Sequence, residues 1–167
     1  MKKIVLLFIV ACCMAPVLSC KKDKTVAANG ISAKKDVADW TTINVITGFK
    51  PLNTKDTLFI AAQNGEENIV IALKQKGAGT YQSTEFKAWY YTTVGFDAVV
   101  SKYQVYSDPG NSVTITNYDE SAHTIKGTFN ILFKSTYKNG DSFPDEVKFT
   151  NGKIDAALSD TYMDPFR

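Results

Sequence analysis

The chain has 167 residues, of which 44% are hydrophobic and 22% charged, and this size and composition are typical of a single globular domain. The formal net charge is +2, and loss of Lys2 and Lys3 with an N-terminal signal would leave 17 basic and 17 acidic side chains. A chain without net charge has no overall positive field to attract a polyanion, so we expect no nucleic-acid partner.

The first twenty residues differ from the remainder of the chain. Lys2 and Lys3 form a basic start, residues 4–15 are uncharged, and Pro16 opens a short segment that ends at Cys20. This layout predicts a secretory signal. It is a poor membrane-spanning helix, because the uncharged run contains Pro16 and falls short of the roughly 20 residues that a span requires.

The segment Val17-Leu18-Ser19-Cys20 resembles the lipobox of bacterial lipoproteins. The resemblance implies that residues 1–19 are a lipoprotein signal peptide and that the Cys20 thiol carries diacylglycerol. An ordinary cleaved signal is the alternative, since Val17 and Ser19 also suit a small-residue cleavage site. Two or more acyl chains would anchor the protein stably, because each buried methylene contributes about 0.8 kcal/mol.

The remaining sequence fits an anchored protein without disulfides. The other two cysteines, Cys12 and Cys13, lie in the signal, and residues 20–39 are polar and read as a flexible tether. Residues 40–167 are then the single folded domain. We therefore predict a lipid-anchored protein of the cell envelope, held at the outer membrane, with its periplasmic or surface orientation left open.

Most of the domain has the pattern of β-strands joined by tight turns. Asn64-Gly65 predicts a two-residue hairpin turn that pairs Ile60 with Ile69, on a hairpin that is apolar on both faces. Aromatic residues favour a strand over 85–92, and a second strand over 102–107 ends at Asp108-Pro109-Gly110.

The C-terminal part shows clearer alternation. Ile125, Gly127, Phe129, Ile131 and Phe133 occupy alternate positions of one long strand, and a loop over 118–122 is predicted to set Ile115 against Ile125. Asn139-Gly140 predicts a turn, and Asn151-Gly152 predicts a hairpin that pairs Phe149 with Ile154. No helical period persists, so we expect an all-β fold, an antiparallel sandwich or a partly closed barrel built from hairpins.

A family resemblance rests on these strand and turn motifs. The blocks that carry it are Ser112–Asp119, Ile125–Phe129, Phe149–Ile154 and Tyr90–Thr93. They resemble a group of small lipoproteins of Bacteroidota that are classified only as a domain of unknown function. The resemblance covers most of residues 59–157, and it implies an envelope lipoprotein without an assigned reaction.

Residues that could perform catalysis are few. His123 is the only histidine, and a hydrolase would have to combine it with an acid such as Glu120. Asp141, Asp145 and Glu146 lack the spacing of a calcium loop. We therefore predict no catalytic residue, no metal site and no cofactor, and we keep the hydrolase as an alternative.

Aromatic residues point more directly to a binding surface. Trp89 and Tyr91 would face one side of their strand, and either Tyr103 or Tyr106 would extend the same face from the next strand. Exposed rings on a sheet can stack on a sugar or an apolar ligand, while packing under a neighbouring loop is the structural alternative. The leading hypothesis is a non-catalytic domain that binds a glycan, a lipid or an envelope protein; an assembly role in the envelope is a further alternative.

Overall fold

The computed structural model describes residues 30–49 and 56–159, which form eleven β-strands and no helix. The predicted all-β antiparallel fold is therefore confirmed. The strands are β1 Gly30–Lys35, β2 Ala38–Thr42, β3 Asn44–Phe49, β4 Thr57–Asn64, β5 Glu67–Lys74, β6 Gly79–Gln82, β7 Phe86–Val94, β8 Ala98–Val105, β9 Ser112–Asp119, β10 Thr124–Lys138 and β11 Glu146–Ala157.

All strands belong to one sheet with the order β2-β1-β11-β10-β8-β7-β5-β4-β3. The long strand β10 divides the sheet, because its first half pairs with β9 and its second half with β8. Strand β6 extends the β9 branch. Inward-facing side chains from both branches form one hydrophobic core, so the sheet wraps around a single apolar interior.

The two ends of the sheet meet through side chains rather than through a ladder of backbone bonds. Thr47 on β3 donates its hydroxyl to the carbonyl of Ala157 at 2.6 Å, and Thr42 on β2 donates to the carbonyl of Gln63. The sheet is therefore strongly curled but not closed into a barrel.

The core contains a cluster of aromatic rings in edge contact. The Phe149 ring lies 5.6 Å from Trp40, 5.3 Å from Tyr90 and 5.7 Å from Phe133, measured between ring centroids. Burial raises the pKa of Tyr90 far above its usual range, and the nearby Glu67 carboxylate acts in the same direction. The Tyr90 hydroxyl therefore stays protonated and accepts a bond from Lys35 at 3.4 Å.

The predicted hairpin at Asn151-Gly152 is wrong. Phe149 and Ile154 lie on one continuous strand, β11, and both face the core across a β-bulge that precedes Gly152. Asn151 has a φ of +52°, a left-handed conformation that Asn adopts more readily than most residues. The extra residue of the bulge shifts the alternation of inward and outward side chains by one position. Phe149 before the bulge and Ile154 after it can therefore both face the core.

The hairpin between β4 and β5 is confirmed, but its predicted register is two residues off. The turn consists of Gly65 and Glu66 instead of Asn64-Gly65, so Ile60 pairs with Ile71 rather than with Ile69. A two-residue shift keeps every side chain on its predicted face. Strand β5 is buried on both faces, as the sequence predicted.

Other predicted elements agree with the structure at coarse resolution. Strand β7 agrees closely with the predicted strand over 85–92, whereas β8 begins and ends earlier than the predicted strand over 102–107. Alternate residues of β10 from Ile125 to Phe133 are buried, as predicted. The β9–β10 hairpin also exists. Its register differs, since a bulge sets Ile115 against Gly127 and leaves Ile125 opposite Tyr118.

The folded domain begins earlier than residue 40, which corrects the predicted tether of 20–39. Gly30–Lys35 forms β1 between β2 and β11, and Ala38 and Asp39 begin β2. Only Ile31 and Ala33 of β1 face the core, so this stretch has too few apolar residues to show an alternating pattern. The predicted signal, Cys20 and the first part of the tether lie outside the described residues.

Candidate functional site

A groove of about 560 Å³ lies on the outer face of strands β4, β5, β7 and β8. Along β7, alternate residues face the core, which leaves Lys87, Trp89 and Tyr91 on the outer face. We call this cavity the Trp89 groove. Its lining residues are Thr57, Phe59, Ala72, Lys74, Ser83, Thr84, Glu85, Phe86, Lys87, Trp89, Gln104, Val105, Tyr106 and Ser107.

Side-chain size along the strands explains the hollow. Ala72 on β5 pairs with Phe59 on one side and with Lys87 on the other, so a methyl group lies between two long side chains. In the next row, the half-buried Trp89 lies between Val70 and Gln104. Ala72 therefore leaves a depression in the surface of the sheet, and the larger side chains around it form the walls of the groove.

One rim of the groove is the turn between β6 and β7. Glu85 at this turn forms an ion pair with Lys76 at 2.6 Å, and its second oxygen accepts a bond from the Gln82 amide at 2.9 Å. The bond from Lys76, followed by the bond from Gln82, lowers the pKa of the Glu85 carboxyl. The carboxylate is thus held in place, with its charge balanced by Lys76.

The opposite rim contains Tyr106. The Lys134 ammonium lies 4.1 Å from the centroid of the Tyr106 ring, a cation–π contact. The buried Asn111 donates to the Tyr106 carbonyl at 2.9 Å and accepts a bond from the Leu132 amide at 2.7 Å. Asn111 therefore positions this rim against β10. The Asp108-Pro109-Gly110 turn, which directly precedes Asn111, is the part of this rim that the sequence predicted.

Four aromatic residues were predicted from the sequence to form a binding surface, and two of them lie in the lining of the groove. Trp89 and Tyr106 are lining residues, and Tyr91 shares their face of the sheet without lining the groove. Tyr103 lies in the core with 1% of its surface exposed, and its hydroxyl donates to the Pro144 carbonyl at 3.1 Å. Of the two alternatives on that strand, Tyr106 is therefore the one that extends the Trp89 face.

The residues of the hydrolase alternative lie elsewhere. His123 is exposed at the β9–β10 turn with a φ of +51°, and Glu120 at the same turn accepts a bond from the Tyr118 hydroxyl at 3.0 Å. Neither residue lines the Trp89 groove. Among the described residues, His, Cys, Asp and Glu form no group of three or more that could hold a metal ion.

Several groove residues were not singled out from the sequence. Lys74 and Lys87 look like ordinary solvent-facing lysines of strands, and Gln104 and Ala72 look equally unremarkable along the chain. What brings them together is the pairing of β5 with β7 and of β7 with β8, which depends on long-range register. No local pattern in the sequence reports that register.

The fold and groove define an antiparallel all-β domain with a cavity on the outer face of its sheet. A family model described as domain of unknown function DUF6252 matches residues 28–156, which include all eleven described strands except Ala157, the last residue of β11. The chain belongs to this family. No curated protein and no solved structure matches it.

The family match confirms the resemblance in its coarse form and extends it toward the N-terminus, from residue 59 to residue 28. It carries no information about the predicted lipid anchor or about the bacterial group. In the part of the chain that the structure describes, no helix has the length and apolar character needed to cross a membrane.

Proposed function

We propose that this protein is a non-catalytic lipoprotein of the cell envelope that binds a saccharide in the Trp89 groove. The observation that carries the proposal is a half-buried tryptophan beside a hollow whose rims bear hydroxyl and amide groups. Sugar rings present apolar C–H faces to an aromatic ring and hydroxyls to polar side chains, and the groove offers both kinds of partner.

The lining favours a saccharide over a lipid chain. The polar residues Thr57, Ser83, Thr84, Gln104 and Ser107 alternate around the groove with aromatic and aliphatic ones. A lipid chain would leave these polar groups without hydrogen-bond partners, which is unfavourable in a water-excluding contact. A volume of about 560 Å³ is within the range of roughly 300–1,000 Å³ found for small-ligand sites.

The proposed anchor is compatible with the position at which the domain begins. Ten peptide units separate Cys20 from Gly30, the first residue of β1. A chain of that length spans at most about 35 Å when fully extended. A lipid on Cys20 would therefore keep the start of β1 within about 35 Å of the membrane surface, which is the outer membrane in our proposal.

Lipidation makes a direct prediction. Cells expressing the wild-type protein in the presence of labelled palmitate are expected to yield a labelled protein that partitions with membranes. The Cys20→Ala variant should lose the label and the membrane association together, while Cys13→Ala, which alters the signal only, should retain both. Unlabelled wild-type protein with a free N-terminal amine by mass spectrometry would contradict the proposed anchor.

Saccharide binding is tested with the mature chain in detergent micelles and a panel of neutral and acidic oligosaccharides, using calorimetry. We expect at least one member of the panel to bind, and Trp89→Ala to weaken it tenfold or more, equivalent to about 1.4 kcal/mol. Phe96→Ala is the matched control, since Phe96 is 67% exposed at the β7–β8 turn outside the groove. Failure of every oligosaccharide to bind wild-type protein would contradict the proposal.

A further inference from the structure

We propose that the saccharide is acidic and that Lys74 and Lys87 hold its carboxylate beside Trp89. The inference rests on the proposed function and specifies its ligand. Both lysines line the Trp89 groove and both are exposed to solvent. A carboxylated sugar ring that stacks on Trp89 would bring its negative charge to the side of the groove formed by β5 and β7.

The strand register places the two lysines next to each other. Ala72 on β5 is paired with Lys87 on β7, and Lys74 is two positions further along β5 on the same face. Such diagonal neighbours have Cα atoms roughly 7–8 Å apart, a distance that long side chains can bridge. Because Ala72 projects only a methyl group, it leaves room for a ligand beside the two lysine side chains.

Charge balance distinguishes this pair from the lysines around it. Lys76 at one rim is paired with Glu85, and Lys134 behind the other rim is paired with Glu146 at 3.3 Å. Within the described residues, neither Lys74 nor Lys87 forms an ion pair. Glu85, the one acidic residue among the described lining residues, lies opposite Lys74, whose amide donates to its carbonyl at 3.1 Å, and both Lys76 and Lys74 lower the pKa of its carboxyl. The three lysines Lys74, Lys76 and Lys87 therefore exceed this one acid by two positive charges.

The excess of positive charge on one side of the groove favours a negatively charged ligand. A concave site lined by one sign of charge also concentrates the field and attracts an ion of the opposite sign. A bound carboxylate would balance this positive charge, which supports an acidic ligand over a neutral one.

Single-stranded nucleic acid also combines negative charge with stacking, but the groove fits it less well. Nucleic-acid sites use several aromatic rings on which successive bases stack. The aromatic residues among the described lining residues are Phe59, Phe86, Trp89 and Tyr106. Phe86 is buried and Lys134 lies against the ring of Tyr106, so these rings do not form a row on which successive bases could stack.

The test compares two forms of one saccharide, hexagalacturonate and its fully methyl-esterified derivative, on the mature chain in micelles. We expect the acid to bind at least tenfold more tightly than the ester in low salt, and this ratio to shrink as salt is raised. Lys74→Gln/Lys87→Gln should abolish the preference, so that this variant binds the acid and the ester with similar affinity. Lys148→Gln/Lys153→Gln, two exposed lysines of β11 outside the groove, should keep the preference.

The outcomes separate the two proposals. Equal binding of acid and ester, or an acid preference that survives in the Lys74/Lys87 double variant, would overturn the acidic ligand and leave saccharide binding intact. Absence of binding by both forms and by the neutral panel would overturn both proposals. Binding of an oligothymidylate as tightly as the acid would replace the saccharide by nucleic acid.

Discussion

Replacing Phe149 with alanine is expected to lower the free energy of unfolding by about 3–5 kcal/mol, a large part of the 5–15 kcal/mol typical of a domain. Phe149 is fully buried on β11, and its ring is in edge contact with Trp40, Tyr90 and Phe133. Removal of the ring abolishes all three contacts and leaves a cavity among rigid neighbours that cannot close it.

Urea denaturation followed by circular dichroism measures this loss. Phe96→Ala removes an equally large ring from a position that is 67% exposed, so its effect should stay within about 0.5 kcal/mol. A Phe149→Ala variant that is as stable as Phe96→Ala would show that this aromatic cluster is not the centre of the core.

Gly152→Ala is expected to destabilise the protein by about 1–3 kcal/mol, although alanine usually suits a strand better than glycine. A Cβ at this position would lie 2.6 Å from Cγ of Phe129, which is well inside van der Waals contact. Phe129 is buried at the pairing of β10 with β11, where Gly152 is its direct partner, so the ring cannot move away freely.

A double-mutant cycle with Phe129→Ala tests the cause. Removal of the ring makes room for the new methyl group, so Gly152→Ala should cost much less in the Phe129→Ala background, with a coupling energy of about 0.5–3 kcal/mol. Additive effects of the two substitutions would contradict the proposed steric clash.

Asn151-Gly152 also shows why a strong local turn signal can predict a hairpin that does not form. Asn-Gly favours positive φ, and both a hairpin turn and a β-bulge use that conformation. The alternation on each side of Asn151-Gly152 fits two paired strands as well as it fits one strand whose phase changes at a bulge. Only the position of the partner strand β10 distinguishes these cases, and that is a long-range property.

Alternation of apolar and polar residues predicted a strand correctly where one face of the strand lies in the core and the other in solvent. Strand β10 shows this best, since buried residues alternate from Ile125 to Phe133 as predicted. Strand β1 was missed because it contributes only Ile31 and Ala33 to the core and is held mainly by backbone pairing with β2 and β11. Backbone pairing is independent of side-chain identity, so it leaves little trace in a sequence.

The sequence predicted only part of the candidate site, because alternation places residues on a face of one strand but does not show which strands are neighbours. Alternation along β7 was sufficient to place Trp89 and Tyr91 on one face. It could not decide between Tyr103 and Tyr106, because the face that a residue shares with Trp89 depends on the β7–β8 register. The lysines of the groove and the small Ala72 come together only across strands, so their joint role required the structure.

Nuclear magnetic resonance titration of the nitrogen-labelled mature chain with hexagalacturonate tests the binding site most directly. The indole N–H of Trp89 and the amides of Ala72, Lys87 and Gln104 should shift on titration, because these residues form the floor and walls of the groove. The indole N–H of Trp40, which is buried in the core, should not move. Shifts centred on another surface, such as the β9–β10 turn that carries His123, would contradict saccharide binding in the Trp89 groove.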